Sequence, residues 1–117
     1  MSMCELKVTL KENSKLTEVA EDVIYVKLSE QNLVLKDVLG RSKIVEDALF
    51  EELDISKESL TLVKAPLLTK AAKFLSLYNA ALSSGKYDQR IEAAWEEVKA
   101  EGDRCIIEAW AKLGSKR

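Results

Sequence analysis

The period of the hydrophobic pattern changes once along this chain, at its single proline. Before Pro66 apolar residues alternate with polar ones, and after it they recur at steps of three and four. A period of two is typical of a half-buried strand, and a period near 3.6 is typical of an amphipathic helix. Proline suits the first turn of a helix, where its missing N–H has no intrahelical partner. The sequence therefore predicts an α+β protein with a β domain at 1–64 and an α-helical C-terminal extension at 65–117.

Six short strands are predicted before Pro66. The first carries Cys4, Leu6, Val8 and Leu10 on one face, and the others are expected at 16–20, 23–28, 33–38, 43–46 and 59–63, with a loop or short helical turn around 47–53. Closely spaced turn signals between short strands are typical of a sandwich or small barrel, and a closed or half-closed barrel is the simplest arrangement. An exposed edge strand needs protection, which pairing with a second copy often provides.

Two helices are predicted after Pro66. The first should end near Gly85, and Asp88 is the expected N-cap of the second. The short link between them favours an antiparallel helical hairpin. Gly102 interrupts the second helical pattern, and a glycine there costs about 1 kcal/mol relative to alanine. It therefore predicts a bend or the close approach of another backbone.

The chain contains no histidine. This removes the commonest general base near neutral pH, the Ser–His and Cys–His nucleophile pairs, and the commonest metal ligand. We therefore expect a binding protein and not an enzyme. With 47% hydrophobic and 32% charged residues the chain should be globular. No apolar run approaches the roughly 18 residues of a membrane span, and the first ten residues do not form a secretory signal, so we expect a cytoplasmic location without a membrane partner.

The two cysteines lie at opposite ends of the chain and are expected to be free thiols. Cys105 lies on the apolar side of the second predicted helix, which predicts that it packs in the core. Cys4 has two interpretations. It is either a small apolar residue on the inner face of the first strand or a metal ligand.

Charge is divided unequally along the chain. Residues 1–64 hold nine Lys and Arg against thirteen Asp and Glu, whereas residues 65–117 hold nine against seven. A phosphate-binding surface needs clustered positive charge, so the β half is a poor nucleic-acid surface and only the helical half could bind RNA. Aromatic residues there could stack on bases, but glutamates share their surface and favour helix packing. A protein-interaction adaptor presenting the Trp95 and Trp110 region is a further alternative.

Residues 3–64 resemble the CooT family of small cytoplasmic proteins linked to nickel handling, which are also described as predicted RNA-binding proteins. The resemblance rests on MCE at 3–5, EDV at 21–23, LVLKDVLG at 33–40, KIVE at 43–46, ELD at 52–54 and SLTL at 59–62. These segments occur in order and at family-like spacing. The helical extension lies outside them.

The resemblance implies a small SH3-like antiparallel β-barrel that forms a homodimer and holds Ni(II) near its two N-termini. It further implies that Cys4 supplies its thiolate and its own nitrogen, and that the backbone amide of Glu5 contributes. Such donors suit square-planar Ni(II). The nitrogen of Cys4 is a free amine when the chain starts at Met3 and that methionine is removed, and it is an ordinary amide when the chain starts at Met1.

Overall fold

This computed structural model describes residues 4–114, which contain six strands and two helices. In chain order they are β1 Leu6–Glu12, β2 Lys15–Ser29, β3 Asn32–Asp37, β4 Ser42–Glu46, β5 Ala48–Asp54, β6 Ser59–Lys64, α1 Pro66–Ser84 and α2 Arg90–Leu113. The chain divides into two compact units, residues 1–69 and 70–117. The change from strand to helix at Pro66 is confirmed, and the domain boundary between 64 and 65 stays a prediction.

The strands form one sheet in the order β4-β3-β2-β1-β6-β5. Its ladders are antiparallel except that of β1 with β6, in which Lys7 to Lys11 run parallel to Ser59 to Val63. The expectation of a wholly antiparallel sheet is therefore wrong. These two strands are distant in sequence, so no hairpin turn fixes their relative direction.

Two predicted strands are one strand in the structure. Strand β2 continues from Lys15 to Ser29 through Asp22, which has a φ of 57°. Its first part pairs with β1 and its second part with β3, and both ladders shift register near Val23. The predicted break at 21–22 is therefore a bend within a strand. Conversely, the expected loop or helical turn around 47–53 is strand β5.

The two edge strands, β4 and β5, are consecutive in the chain. Only Asp47, with a φ of 52°, separates Glu46 from Ala48, so the two edges of the sheet meet at this corner. Among the described residues the strand order contains no ladder between β4 and β5, and the sheet is open along that edge. Closure into a barrel stays a prediction.

The core of the first unit lies on the inner face of this curved sheet. It consists of Val8, Val23, Leu33, Leu35, Val45, Ala48, Leu60 and Leu62. Alternation along β3 and β6 directs Leu33, Leu35, Leu60 and Leu62 to the same side. This part of the core follows directly from the period of two in the sequence.

The second unit contains most of α1 and all of α2, and their side-chain contacts run in antiparallel order. Lys70 pairs with Glu101 at 3.2 Å, Lys73 pairs with Glu97 at 3.7 Å, and the rings of Phe74 and Trp95 are 5.3 Å apart. This is the order expected of the predicted hairpin. Neither helix of residues 4–114 is long and apolar enough to cross a membrane.

Local signals place the helix ends close to where they were expected. Gly85 has a φ of 72° and donates its N–H to the carbonyl of Ala81 at 2.9 Å, as a glycine after a helix does. The carboxylate of Asp88 accepts the N–H of Arg90 at 2.9 Å, but the N-cap of α2 is Gln89, one residue later than predicted, and its side chain makes no cap hydrogen bond. The predicted close approach of another backbone at Gly102 is wrong, because no atom of another segment lies within 4 Å of where its Cβ would be. Helix α2 continues through Gly102, and a bend there stays a prediction.

Candidate functional site

The predicted metal ligands lie just before β1. Cys4 is exposed and Glu5 is half-buried. The interpretation of Cys4 as an inward-facing strand residue is wrong, because β1 begins at Leu6 and its first ladder partners are Val23 for Leu6 and Ser59 for Lys7. The thiol is therefore accessible from solvent. Residues 1–3 lie outside the described residues.

The chain is held firmly a short distance after Cys4. The N–H of Lys7 donates to the carbonyl of Glu58 at 2.9 Å, and the ammonium group of Lys7 lies 3.3 Å from the carboxylate of Glu18. The sheet thus fixes the position at which Cys4 and Glu5 join β1. This anchoring gives Cys4 and the Glu5 amide a defined starting point.

A complete metal site is not present within one described chain. Among residues 4–114 no group of three or more His, Cys, Asp or Glu side chains could hold a metal ion. The donors that Cys4 and Glu5 offer fit Ni(II) in kind, since a thiolate and backbone nitrogens suit a square-planar ion. The thiolate of Cys4 and the nitrogens of Cys4 and Glu5 are three donors. A square-planar ion has four positions, so the fourth donor must come from elsewhere, such as a second copy of the chain.

The other thiol, Cys105, is exposed as well. The expectation that it packs in the core is wrong. It lies one turn beyond Glu101, in the C-terminal part of α2, where every residue from Asp103 to Leu113 is exposed. The apolar stripe of this helix therefore continues past the part that is buried.

An apolar groove of about 470 Å³ opens close to the N-terminal segment. It is lined by Leu6, Val26, Leu28, Leu33, Leu49, Phe50, Leu53 and Leu60. Leu33 and Leu60 belong to the core, whereas Phe50 and Leu53 are 63% and 48% exposed. Since Leu6 is two residues from Cys4, the groove and the candidate ligand are neighbours. Contiguous exposed apolar surface of this kind often marks an interaction site.

Sequence reasoning missed this groove. Phe50 and Leu53 fall in the segment that was expected to be a loop or helical turn. The β5–β6 ladder shifts register between Phe50 and Glu52, which breaks the alternation that would have revealed a strand. The run of apolar residues at 48–50 was the available signal.

A small recess near β3 and β4 is a poorer candidate. It measures about 210 Å³ and includes Asp37, Arg41 and Lys43. Partial desolvation opposes ionisation of Asp37, but hydrogen bonds from Arg41 and from the N–H of Leu39 outweigh it and lower the pKa of this carboxyl below 3.8. Its carboxylate already has partners, so its role is to hold the 37–41 turn.

The basic residues of the helical unit are largely engaged by carboxylates. These ion pairs are Lys70–Glu101, Lys73–Glu97, Arg90–Asp88, Lys99–Glu96, Arg104–Glu101, Arg104–Glu108 and Lys112–Glu108. A surface for RNA needs cations that are available to phosphates. This arrangement does not favour RNA binding, which stays a prediction.

The aromatic residues of the helical unit pack only in part. Phe74 stacks on Tyr78 with 6.2 Å between ring centroids and also contacts Trp95. Helix packing therefore accounts for Phe74. Tyr78, Trp95 and Trp110 are nevertheless 43%, 47% and 61% exposed, so packing within the described chain does not account for all of their surface.

Comparison with known proteins links the first unit to one family. A family model described as CO dehydrogenase accessory protein CooT matches residues 3–63. The crystal structure of a protein assigned to CooT from Carboxydothermus hydrogenoformans aligns with 52% of this chain and 97% of that chain, at 21% identity and a TM-score of 0.48. No curated protein matches the chain significantly.

Proposed function

Because the chain belongs to the CooT family of CO dehydrogenase accessory proteins, we propose that it is a non-catalytic, homodimeric protein that binds nickel as cargo. In this role it acts through a protein partner, in keeping with the accessory task in the family's description. The observation that carries the proposal is the exposed thiol of Cys4 on a segment anchored by β1.

The donor chemistry supports Ni(II) as the ion. The thiolate of Cys4 and the nitrogens of Cys4 and Glu5 are the proposed ligands, and backbone nitrogens of this kind bind only after deprotonation or as a free amine. The form of the chain that starts at Cys4 is therefore the one expected to bind tightly. In the longer form both nitrogens are ordinary amides, whose deprotonation opposes binding.

The apolar groove supports the dimer. Its exposed rim residues, Phe50 and Leu53, would be covered by a second copy, and apolar surface removed from water stabilises the pair by about 25 cal/mol per Å². Because Leu6 lines the groove, a dimer through this surface brings two N-terminal segments close together. Two copies could then share one nickel site, which a single described chain does not complete.

The test is a nickel titration by calorimetry and absorption spectroscopy. Four forms of the protein are compared. Two have the unmodified sequence and start at Met1 or at Cys4, and two carry Cys4→Ala or Cys105→Ala in whichever of these forms binds nickel. Cys105 is the matched control because it is the other exposed thiol.

We expect stoichiometric binding with thiolate-to-nickel absorption bands in the Cys4-started form. Cys4→Ala should remove the bands and Cys105→Ala should retain them. Absence of binding in every form, or equal loss in both cysteine variants, contradicts the nickel role. The dimer through the groove is tested separately by light scattering of Phe50→Glu, which should have a lower mass than the unmodified protein at the same concentration.

A second candidate is a protein-interaction adaptor that acts through the helices. It is favoured by the exposure of Trp95 and Trp110. This function predicts capture of a partner protein by the unmodified chain without any nickel binding. RNA binding would instead show retention that weakens steeply as salt rises.

A further inference from the structure

The first helix carries very little charge for a helix with an exposed face. Its only charged residues are Lys70 and Lys73, and both pair with glutamates of α2. From Phe74 to Gly85 no residue is charged. A helix that faces water normally carries charged side chains opposite its packed stripe. The outer side of α1 is thus better suited to contact with protein.

The contacts between the helices define two flanks of the hairpin. The ion pair of Lys73 with Glu97 lies on one flank, and the ring cluster of Phe74, Tyr78 and Trp95 lies on the other. Leu75 and Leu82 are three residues before and four residues after Tyr78, so they share its side of α1. Their side chains are 51% and 65% exposed.

The same flank continues along α2. Ile106 and Leu113 follow Trp95 by 11 and 18 residues, which at 3.6 residues per turn is about three and five full turns. These two side chains are 65% and 61% exposed. We call the set Leu75, Tyr78, Leu82, Trp95, Ile106 and Leu113 the apolar flank. Its members form a stripe that crosses both helices.

We propose that the apolar flank is a self-association surface, through which the helical hairpins of two copies of this chain pair into a four-helix bundle. This surface is separate from the groove of the β unit and goes beyond the nickel-binding role. Bundles of this type bury one apolar face of each helix in a common core.

The available area agrees with a second copy as the occupant. Between 43% and 65% of the surface of each flank residue is exposed. At roughly 100 Å² of exposed surface per residue the flank offers about 600 Å² per chain, so pairing two copies buries at most about 1,200 Å². This reaches the lower bound for specific interfaces. The flank itself is uncharged, so a two-fold arrangement brings no like charges into opposition at its centre.

Intrinsic fluorescence can report on this surface directly. The chain has two tryptophans, and Trp110→Phe leaves Trp95 on the flank as the only one. The full chain with this substitution is examined without nickel, in the presence of a chelator, by sedimentation and by Trp95 emission over a range of protein concentrations. Association through the β groove alone changes the mass but leaves the environment of Trp95 unchanged.

Two substitutions in α1 separate the flanks. Leu82→Glu places a charge on the apolar flank, about two turns from Phe74 and its contact with Trp95, whereas Ala80→Glu places the same charge on another side of the helix. Both positions are exposed, and circular dichroism verifies that each variant folds. Ile106→Glu repeats the test on α2.

We expect an associated species whose Trp95 emission lies at shorter wavelength than in the Leu82→Glu and Ile106→Glu variants. These variants should raise the dissociation constant at least ten-fold, and Ala80→Glu should not. The proposal is overturned if the flank variants match Ala80→Glu in both mass and emission, or if the unmodified chain has solvent-exposed Trp95 emission at every concentration. Loss of nickel binding in any variant concerns the proposed function and not this surface.

Discussion

Asp47 connects several parts of the first unit through one residue. Its N–H donates to the carbonyl of Gln31 at 3.2 Å, and its carbonyl accepts the N–H of Ala65 at 2.8 Å. Its carboxylate accepts from the Gln31 amide and from the hydroxyl of buried Thr69, each at 3.1 Å. This residue therefore ties the corner between β4 and β5 to the start of α1.

Replacing Asp47 should test this junction. Asp47→Ala removes the acceptor of the Gln31 amide and one of the two acceptors of the buried Thr69 hydroxyl, the other being the carbonyl of Pro66 at 3.2 Å. It also places alanine at a φ of 52°, so we expect the free energy of unfolding to fall by about 2 kcal/mol. Asp47→Asn keeps the acceptor oxygen and tolerates the left-handed conformation, and should lose less than half as much. Urea unfolding measures both, and equal losses would contradict this role of the carboxylate.

Glu101 is the buried carboxylate of the second unit. Its side chain is 7% exposed and pairs with Lys70 at 3.2 Å and with Arg104 at 2.5 Å. Desolvation opposes ionisation, but the hydrogen bonds from Arg104 and Lys70 outweigh it and lower the pKa of this carboxyl below 4.5. The folded protein consequently holds this proton less tightly than the unfolded chain does.

A lowered pKa gives stability that is present at neutral pH and is lost as the pH falls through the folded value, below 4.5. Glu101→Gln should lower the melting temperature at neutral pH and make its fall towards acidic pH shallower. Glu96→Gln, which changes an exposed glutamate, is the control. Thermal unfolding followed by circular dichroism across this range gives the comparison, and parallel curves for the two variants would refute the assignment.

At the level of the helices, two glycines have opposite roles. Gly102 is inside α2 with open space around its missing Cβ, so Gly102→Ala should raise the free energy of unfolding by up to about 1 kcal/mol. Gly85 has a φ of 72°, so Gly85→Ala should lower that free energy by about 1 kcal/mol. Denaturant unfolding of both variants tests the pair. A loss of stability in Gly102→Ala would mean that another backbone does approach there.

The strands show where a local pattern succeeds and where it fails. Strands β3 and β6 lie where they were predicted, and their buried residues alternate as a period of two requires. The same signal divided β2 at Asp22 and missed β5, because register shifts near Val23 and between Phe50 and Glu52 interrupt the period. Six strands were predicted and six are present, but one division and one omission cancel in that number.

At the level of the whole molecule, nickel and dimerisation should be linked. A ligand that binds the dimer and not the monomer stabilises the dimer by about 2.7 kcal/mol when it is 100-fold above its dissociation constant. We therefore expect nickel to tighten dimerisation of the Cys4-started form by about 100-fold. Sedimentation with and without nickel measures this shift. Cys4→Ala should abolish this shift and Cys105→Ala should retain it. A shared site at Cys4 would be contradicted if nickel tightened dimerisation in both variants or in neither variant.

The sequence by itself determined the change from strands to helices at Pro66, the helix ends to within a residue or two of Gly85 and Asp88, and the absence of histidine, because periodicity, turn signals and composition are local properties. Only the tertiary structure decided that β1 and β6 pair in parallel, that Cys4 and Cys105 are exposed, and that apolar residues of β1, β2, β3, β5 and β6 form a groove beside the N-terminal segment. Those features depend on contacts between residues far apart in the chain. A local hydrophobic period shows that a side chain belongs to an apolar face, but the packing of distant segments decides whether that face is covered.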